Sequence, residues 1–443
     1  MKEKERTEKK IIRAGTLIDG RNLQPIKNAV VVVDGQVISH VGQAERLTLP
    51  EGEVVDATAM TVMPGLIDGH VHITFSGVDP MEATMGQPVA YTVVEAVRNL
   101  RALLEAGYTA VRCCGDIDHV DIALKRAVER GVVLGPRMLT CGLALSTTGG
   151  HGDVYLPAYE NMPLPHPMAR IVDGVDGVRK GVREEMKAGV DWIKIMHAGI
   201  ATHDARGIPG TPQFTMDEMR AICEVAHDAG KRVCAHCSSA QAIKNSVLAG
   251  VDTIEHGIGI DEESIELMKS RGIFLMSTLS PFFAIPELSD DYVKMGLEET
   301  AKKYLELVPP ARVMEDMRRA IKAGVKVAPG SDAGVRWYYH GDNALELQLL
   351  VEAGMSPMQA IIAGTRTASE AIGLGQTVGT IESGKIADIL ILDGDPLNSI
   401  GILREKKRIH TVMKSGRIVV SEGACVDKPS TYPARVFNPY PTN

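Results

Sequence analysis

The chain is bounded first by what it lacks. Aromatic residues make up only 4% of its 443 residues, with 2 Trp and 6 Phe against 20 Met, which points to a methionine-rich core rather than an aromatic recognition surface. There is no basic excess: 48 Lys and Arg stand against 56 Asp and Glu, for a net charge of −8, and no basic stripe runs along the sequence. Nucleic acid is therefore not an expected partner. Long apolar runs are missing too. The opening "MKEKERTEKK" is charged and the apolar stretches after it are too short for a signal-peptide core or a membrane span, so a cytoplasmic protein with no membrane partner is expected. The seven cysteines (Cys113, Cys114, Cys141, Cys223, Cys234, Cys237 and Cys425) show no framework spacing and fall mostly inside apolar segments. They read as reduced, buried thiols. In "CAHC" at 234–237 a strand turns Cys234 and Cys237 to opposite faces, which argues against a redox or zinc motif.

What is present is a soluble, globular composition, 44% hydrophobic and 23% charged. The length suggests two or three domains, or one large barrel with an appendage. The middle of the chain repeats a grammar: an amphipathic helix ends in a small residue and Gly, and a short apolar strand follows. Examples are "LLEAGYTAVRCCGD", "MKAGVDWIKIMHAG", "VLAGVDTIEHG" and "IKAGVKVAPGSD". Val93, Val97, Leu100 and Leu104 fall on one helical stripe. With "MTVMPGLIDGHVH" and "PRMLTCGLAL" added there are eight strands in order, and an α/β fold with a (β/α)₈ barrel is expected. A doubly wound open sheet is the alternative, but no Gly-rich dinucleotide fingerprint follows the first strand. Both ends read as β structure, with hairpins turning at Asp34-Gly35 and Ser415-Gly416. The expectation is a small β-sandwich domain built from residues 1–64 and 376–443, with the barrel at 65–375 inserted between them.

Chemistry-bearing residues gather where those strands end. His70 and His72 close the first, Lys194 sits on the fourth, His236 ends the fifth, His256 the sixth and Asp332 the eighth. A barrel brings the C-terminal ends of its strands to one mouth, so these six positions are expected to converge. Any one alone reads as an ordinary core histidine or a turn aspartate; six in register do not. Imidazoles and a carboxylate are the usual ligands of zinc and its divalent neighbours, and the HxH pair shares one face of a strand. Lys194 stands in "DWIKIMHAG", a lysine within an apolar strand. Burial favours its neutral amine, which can take up carbon dioxide to form an anionic carbamate able to span two cations.

"PGLIDGHVH", the strand-four lysine, the strand-five histidine, "TIEHG", "PGSDAG" and the tail "GKIADILILDGDP" together resemble the amidohydrolase superfamily, in its binuclear branch with a carboxylated lysine. The "STTGGHGD" loop and "HAGI" are similar, more narrowly, to a metal-dependent prolidase and carboxypeptidase-like group that includes ochratoxin-hydrolysing amidases. The resemblance implies two divalent ions, zinc foremost, with His70, His72 and Asp332 on the more buried one, His236 and His256 on the other, and carboxylated Lys194 between them. It also implies a homo-oligomer.

Such a site activates water, with Asp332 both a ligand and the group that takes and returns the proton. His151, in "TGGHGD", is a candidate to hydrogen-bond the scissile carbonyl, with Asp153 placed to orient it. Arg206, Arg336, Tyr338, Tyr339 and His340 are loop candidates for binding a substrate carboxylate. The expected reaction is hydrolysis of an amide C–N bond to a C-terminal amino acid, in a dipeptide such as Xaa-Pro or an N-acyl amino acid, a small-molecule substrate. Hydrolysis of a urea, carbamate or lactone uses the same chemistry. A mononuclear deaminase would not need Lys194, and a Schiff-base aldolase would leave the other five groups unexplained.

Overall fold

The computed structural model describes residues 9–46, 50–77, 81–154, 165–199, 210–287, 302, 305–335 and 338–426. The first sheet takes strands from both ends of the chain. Its N-terminal strands are β1 (Lys10–Leu17), β2 (Ile26–Asp34), β3 (Val37–Gln43) and β4 (Glu53–Pro64).

The barrel follows with β5 (Leu66–Val71), β6 (Tyr108–Cys113), β7 (Arg137–Leu139), β8 (Ala144–Ser146), β9 (Ala169–Ile171), β10 (Trp192–Met196), β11 (Arg232–Cys237), β12 (Thr253–His256), β13 (Phe274–Met276) and β14 (Lys326–Ala328). The terminal sheet is completed by β15 (Ile389–Leu392), β16 (Ile409–Lys414), β17 (Arg417–Ser421) and β18 (Ala424–Cys425).

The eight expected barrel strands are all present. The third is interrupted: β7 and β8 are its two halves, and between them Thr140 O accepts the Asp191 and Trp192 N–H groups at 2.9 and 3.1 Å, joining it to β10. From β10 onward parallel pairing runs in order through β11, β12, β13 and β14. The eighth strand returns to the first: Pro329 O accepts from Gly69, His70 O from Asp332, and Val71 bridges Ala333. This closes the cylinder. An extra short strand, β9, pairs in parallel with β8.

The glycines that end the connecting helices, among them Gly189 at φ 106° and Gly250 at φ 105°, take the left-handed conformation. On the helix Val89–Glu105, Leu100 and Leu104 are fully buried and Val93 and Val97 pack against the same core. Among the described residues no helix is long and apolar enough to cross a membrane.

The sheet built from the termini runs β18-β17-β16-β15-β4-β1-β2-β3. It is one continuous sheet, and a bridge from Val37 to Ile386 links its β3 edge to the segment entering β15. Ala29, Val31 and Val33 share a core with Ile389, Ile391 and Met413, while Val30 and Val32 pack with Ile11 on the other face. Both expected hairpins are there, and Ser415 and Gly416 both have positive φ (50° and 73°), as a primed two-residue turn requires. Functionally the important join is β4 into β5, across Gly65, whose N–H donates to Asp388 O at 2.9 Å. The terminal sheet thereby anchors the strand that carries His70 and His72.

Candidate metal centre

Strand β5 supplies two imidazoles to one face, as alternation requires. Both rings are fixed by their Nδ1 atoms. His70 Nδ1 donates to Glu255 Oε2 at 2.5 Å, and His72 Nδ1 to Gly115 O at 2.6 Å, so Nε2 is the nitrogen each ring turns to the centre. Those Nε2 atoms stand 3.4 and 3.2 Å from Asp332 Oδ1. The ligand atoms of His70, His72 and Asp332 all lie within 4.8 Å of one another. Asp332 is held there by its own N–H on His70 O and by Asp68, which accepts from Ser331 N, His70 N and Asn343 Nδ2. Burial alone would raise the Asp332 carboxyl, but the His72 hydrogen bond and the surrounding imidazoles hold it well below the usual carboxylate range.

Lys194 is 1% exposed, and its Nζ lies 3.4 Å from His70 Nε2. Two opposing effects act on its ammonium. Burial does push the ammonium down, but Cys114, Glu255, Cys234 and Asp332 around it pull it up, and the net direction is upward. A neutral amine at this position therefore needs cations beside it to offset that upward pull.

Strands β11 and β12 bring His236 and His256 to the same place, with ring centroids 4.2 Å apart and His256 5.0 Å from His70. His256 Nδ1 is paired with Thr278 Oγ1 at 2.7 Å. Among the described residues, the buried Nε2 atoms of His236 and His256 have no hydrogen-bond partner. Leaving such a group unmet costs about 1–3 kcal/mol, a cost a ligand removes. Burial first holds the His236 and His256 imidazoles well below their ordinary range, in the neutral form that binds metals; neighbouring positive groups add to it, and at His256 Asp332 opposes it without reversing the direction. His256 and Asp332 also sit at φ 69° and 56°, backbone that a non-glycine residue adopts only at a cost of about 1–3 kcal/mol. The donor set thus fits divalent metal: two buried imidazoles and a carboxylate converge with the two imidazoles of His236 and His256, and Lys194 lies beside His70.

The loop candidates divide. The His151 ring lies 4.5 Å from that of His236, and its backbone N–H donates to Gln213 Oε1 at 2.9 Å. Asp153 braces the loop, accepting from Gly149 N at 2.8 Å. Tyr338 does not reach the mouth: it is 2% exposed and its hydroxyl donates to Asp342 O at 2.6 Å. His340 is buried and packs under the first strand, its Nε2 donating to His72 O at 3.2 Å. Tyr339 is half-buried. Arg206 and Arg336 lie outside the described residues.

Two residues at the centre escaped the sequence reading. Glu255 bridges His70 and Arg112, accepting from Arg112 Nη2 at 2.7 Å, and its carboxyl is held low against burial chiefly by that guanidinium and by His70. Arg112 is fully buried, 4.5 Å from the Trp192 ring centroid. The signal was available: each is a charge inside an apolar strand, as Lys194 is.

Comparison with known proteins points one way. An amidohydrolase family model matches residues 61–419. The ochratoxinase of Aspergillus niger is 31% identical over 440 residues, covering 93% of this chain and 87% of the fungal protein. Its crystal structure superposes with a TM-score of 0.81 over 94% of this chain and 98% of that one, at 30% identity. A Xaa-Pro dipeptidase with methionine bound in its active site superposes with a TM-score of 0.81 at 30% identity, over 93% of this chain and 99% of the other. A prolidase complexed with N-methylphosphonate-L-proline does so with a TM-score of 0.82 at 33% identity, again over 93% and 99%.

Proposed function

Because the chain belongs to the amidohydrolase family, we propose that it is a metal-dependent hydrolase that cleaves an amide C–N bond to release a C-terminal amino acid. The substrates that fit this reading are dipeptides such as Xaa-Pro and N-acyl amino acids of the ochratoxin type, in keeping with the names of the ochratoxinase and dipeptidase relatives. The observation that carries it is the pair of buried, unpartnered Nε2 atoms on His236 and His256 opposite the His70, His72 and Asp332 cluster.

In this reading His70, His72 and Asp332 hold one divalent ion and His236 and His256 a second, with zinc first among the candidates. Lys194, as the carbamate formed from its amine and carbon dioxide with loss of a proton, stands between them. Bound there, the ions supply Lewis-acid polarisation of the scissile carbonyl and a lowered pKa for water. The remaining steps belong to the chain's own groups. Asp332, ionised because its imidazole neighbours hold its carboxyl down, accepts the proton of the attacking water and delivers it to the leaving amine nitrogen. His151, beside His236 at the mouth, donates to the carbonyl oxygen as negative charge develops there.

The test is metal content of the purified protein by elemental analysis, run beside a panel of Xaa-Pro and other dipeptides, N-acyl amino acids and aryl ureas. About two equivalents per chain with release of a free C-terminal amino acid supports the reading. About one equivalent, in folded protein that deaminates instead, points to mononuclear chemistry. Turnover confined to ureas moves the substrate assignment.

A further inference from the structure

Beneath the imidazole layer lies a second cluster of possible ligands. The sulfur atoms of Cys114, Cys141 and Cys234 lie within 4.8 Å of one another, with Cys141 and Cys234 at 4.0 Å. All three residues are wholly buried. They arrive from separate strands: Cys114 just after β6, Cys141 in the break between β7 and β8, and Cys234 within β11. Cys234 shares the inward face of its strand with His236 two residues on, so the sulfurs lie one layer below the centre. Trp192 and Leu139 pack around them.

The spacing and surroundings select a class of ion. Three sulfurs bound in one plane at about 2.3 Å from an ion stand about 4 Å apart; Cys141 and Cys234 already stand at 4.0 Å and all three lie within 4.8 Å. Trp192 and Leu139 offer no lone pair for a fourth bond, which disfavours the tetrahedral shell zinc takes in closed sites. Soft sulfur ligands favour Cu(I). The oxygens that approach the sulfurs are backbone carbonyls, Gly69 O at 3.7 Å from the Cys114 sulfur and Ile193 O at 3.5 Å from that of Cys234, hard donors that Cu(I) does not favour. His70 and Glu255, within 4.8 Å of the Cys114 sulfur, are paired with each other. A disulfide between Cys141 and Cys234 would leave the third sulfur unexplained.

We propose that Cys114, Cys141 and Cys234 form a three-coordinate sulfur site for a soft monovalent ion of the Cu(I) class, separate from the imidazole and carboxylate centre above it. Each thiol that ligates releases its proton to solvent. The remaining four cysteines take no part; Cys237, for example, faces the helix Ala240–Ala249, where its sulfur lies 3.3 Å from Ser246 Oγ.

The experiment uses the full-length, metal-loaded protein. Cu(I) is supplied without oxygen from its bicinchoninate complex, excess is removed, and bound copper is counted by elemental analysis and probed by X-ray absorption. The expected result is about one copper retained per chain with a first shell of three sulfurs. Cys141→Ala and Cys234→Ala should lose it, while Cys223→Ala, on the helix Met216–Asp228, should keep it. Failure to retain copper, a shell containing nitrogen, or full retention in Cys141→Ala overturns the site. Should either alanine variant fail to fold, the sulfur count in the wild-type shell decides alone.

Discussion

The two sides of the centre are prepared differently. On the β5 side every histidine is anchored within the protein: His70 by Glu255, His72 by Gly115 O, and both Nε2 atoms beside Asp332. On the β11 and β12 side Thr278 pairs with His256, and the Nε2 atoms of His236 and His256 have no hydrogen-bond partner among the described residues. The first side is a built anion-and-imidazole cluster that holds its shape on protein contacts. The second carries a polar cost that its described protein neighbours leave unmet. The fold therefore braces one half of the centre through protein contacts and leaves the other half less braced, which is where the proposed metal would matter most.

The largest expected effect comes from removing the proposed bridge. Lys194→Ala should lose metal from both halves and reduce hydrolysis to background, with partial recovery of both on adding short carboxylic acids. Full activity of the variant without additive would show that the halves need no bridge. Asp332→Asn should keep the β5-side geometry while removing its charge, and lower kcat by roughly 10²–10⁴-fold. A kcat within a few fold of wild type would take Asp332 out of proton transfer.

Glu255→Gln attacks the anchored side alone. Its carboxylate both fixes the His70 ring and balances Arg112, so metal affinity should fall by about 10–100-fold. The loss should appear in retained metal under mild chelation before it appears in kcat at saturating metal. If both sides lose metal equally, the division drawn above is wrong.

A pH measurement sharpens the other side. With their imidazoles held below the ordinary value of about 6.5, His236 and His256 stay neutral in the folded, metal-free protein while the unfolded chain takes up protons. The unfolded state then binds more protons, so stability rises with pH through this window and falls as pH drops below about 6.5. Thermal melts of chelated protein between about pH 5 and 8 should show that slope, and His256→Gln should flatten it. An unchanged slope in that variant would place the acid sensitivity elsewhere, for instance among the surface ion pairs.

How much of this was legible follows from what periodicity can carry. Strand order, the convergence of His70, His72, Lys194, His236, His256 and Asp332, and the terminal hairpins all come from local patterns, and the structure brings those six residues together. Glu255 and Arg112 were in plain view, but their pairing joins β6 to β12 across the barrel interior, a contact no local window contains. The break in the third strand and the extra β9 involve runs of three residues, too short for a period to show. Tyr338 was misread for a related reason. A loop tyrosine can turn in or out, and only the packed structure shows its hydroxyl spent on Asp342 O.

The smallest expected effect probes the Thr278 anchor on the open side. Thr278 sits at φ 42°, an unusual conformation for a β-branched residue, and its hydroxyl meets His256 Nδ1 at 2.7 Å. It touches neither His236 nor the Asp332 cluster in any hydrogen bond seen here. Its role is thus to set which His256 nitrogen faces the centre, and losing it should cost about 0.5–1.5 kcal/mol, a few fold in affinity for the second ion. Thr278→Val removes the hydroxyl at nearly constant shape, and Thr278→Ser restores it without the methyl. Weaker metal retention in the valine variant, recovered in the serine variant, marks a positioning role; equal loss in both would mean that Thr278 matters for packing. Because Glu255 on the opposite side is a charged anchor, its loss should exceed that of Thr278 by about tenfold, and that ratio measures how unequally the protein has prepared the two halves.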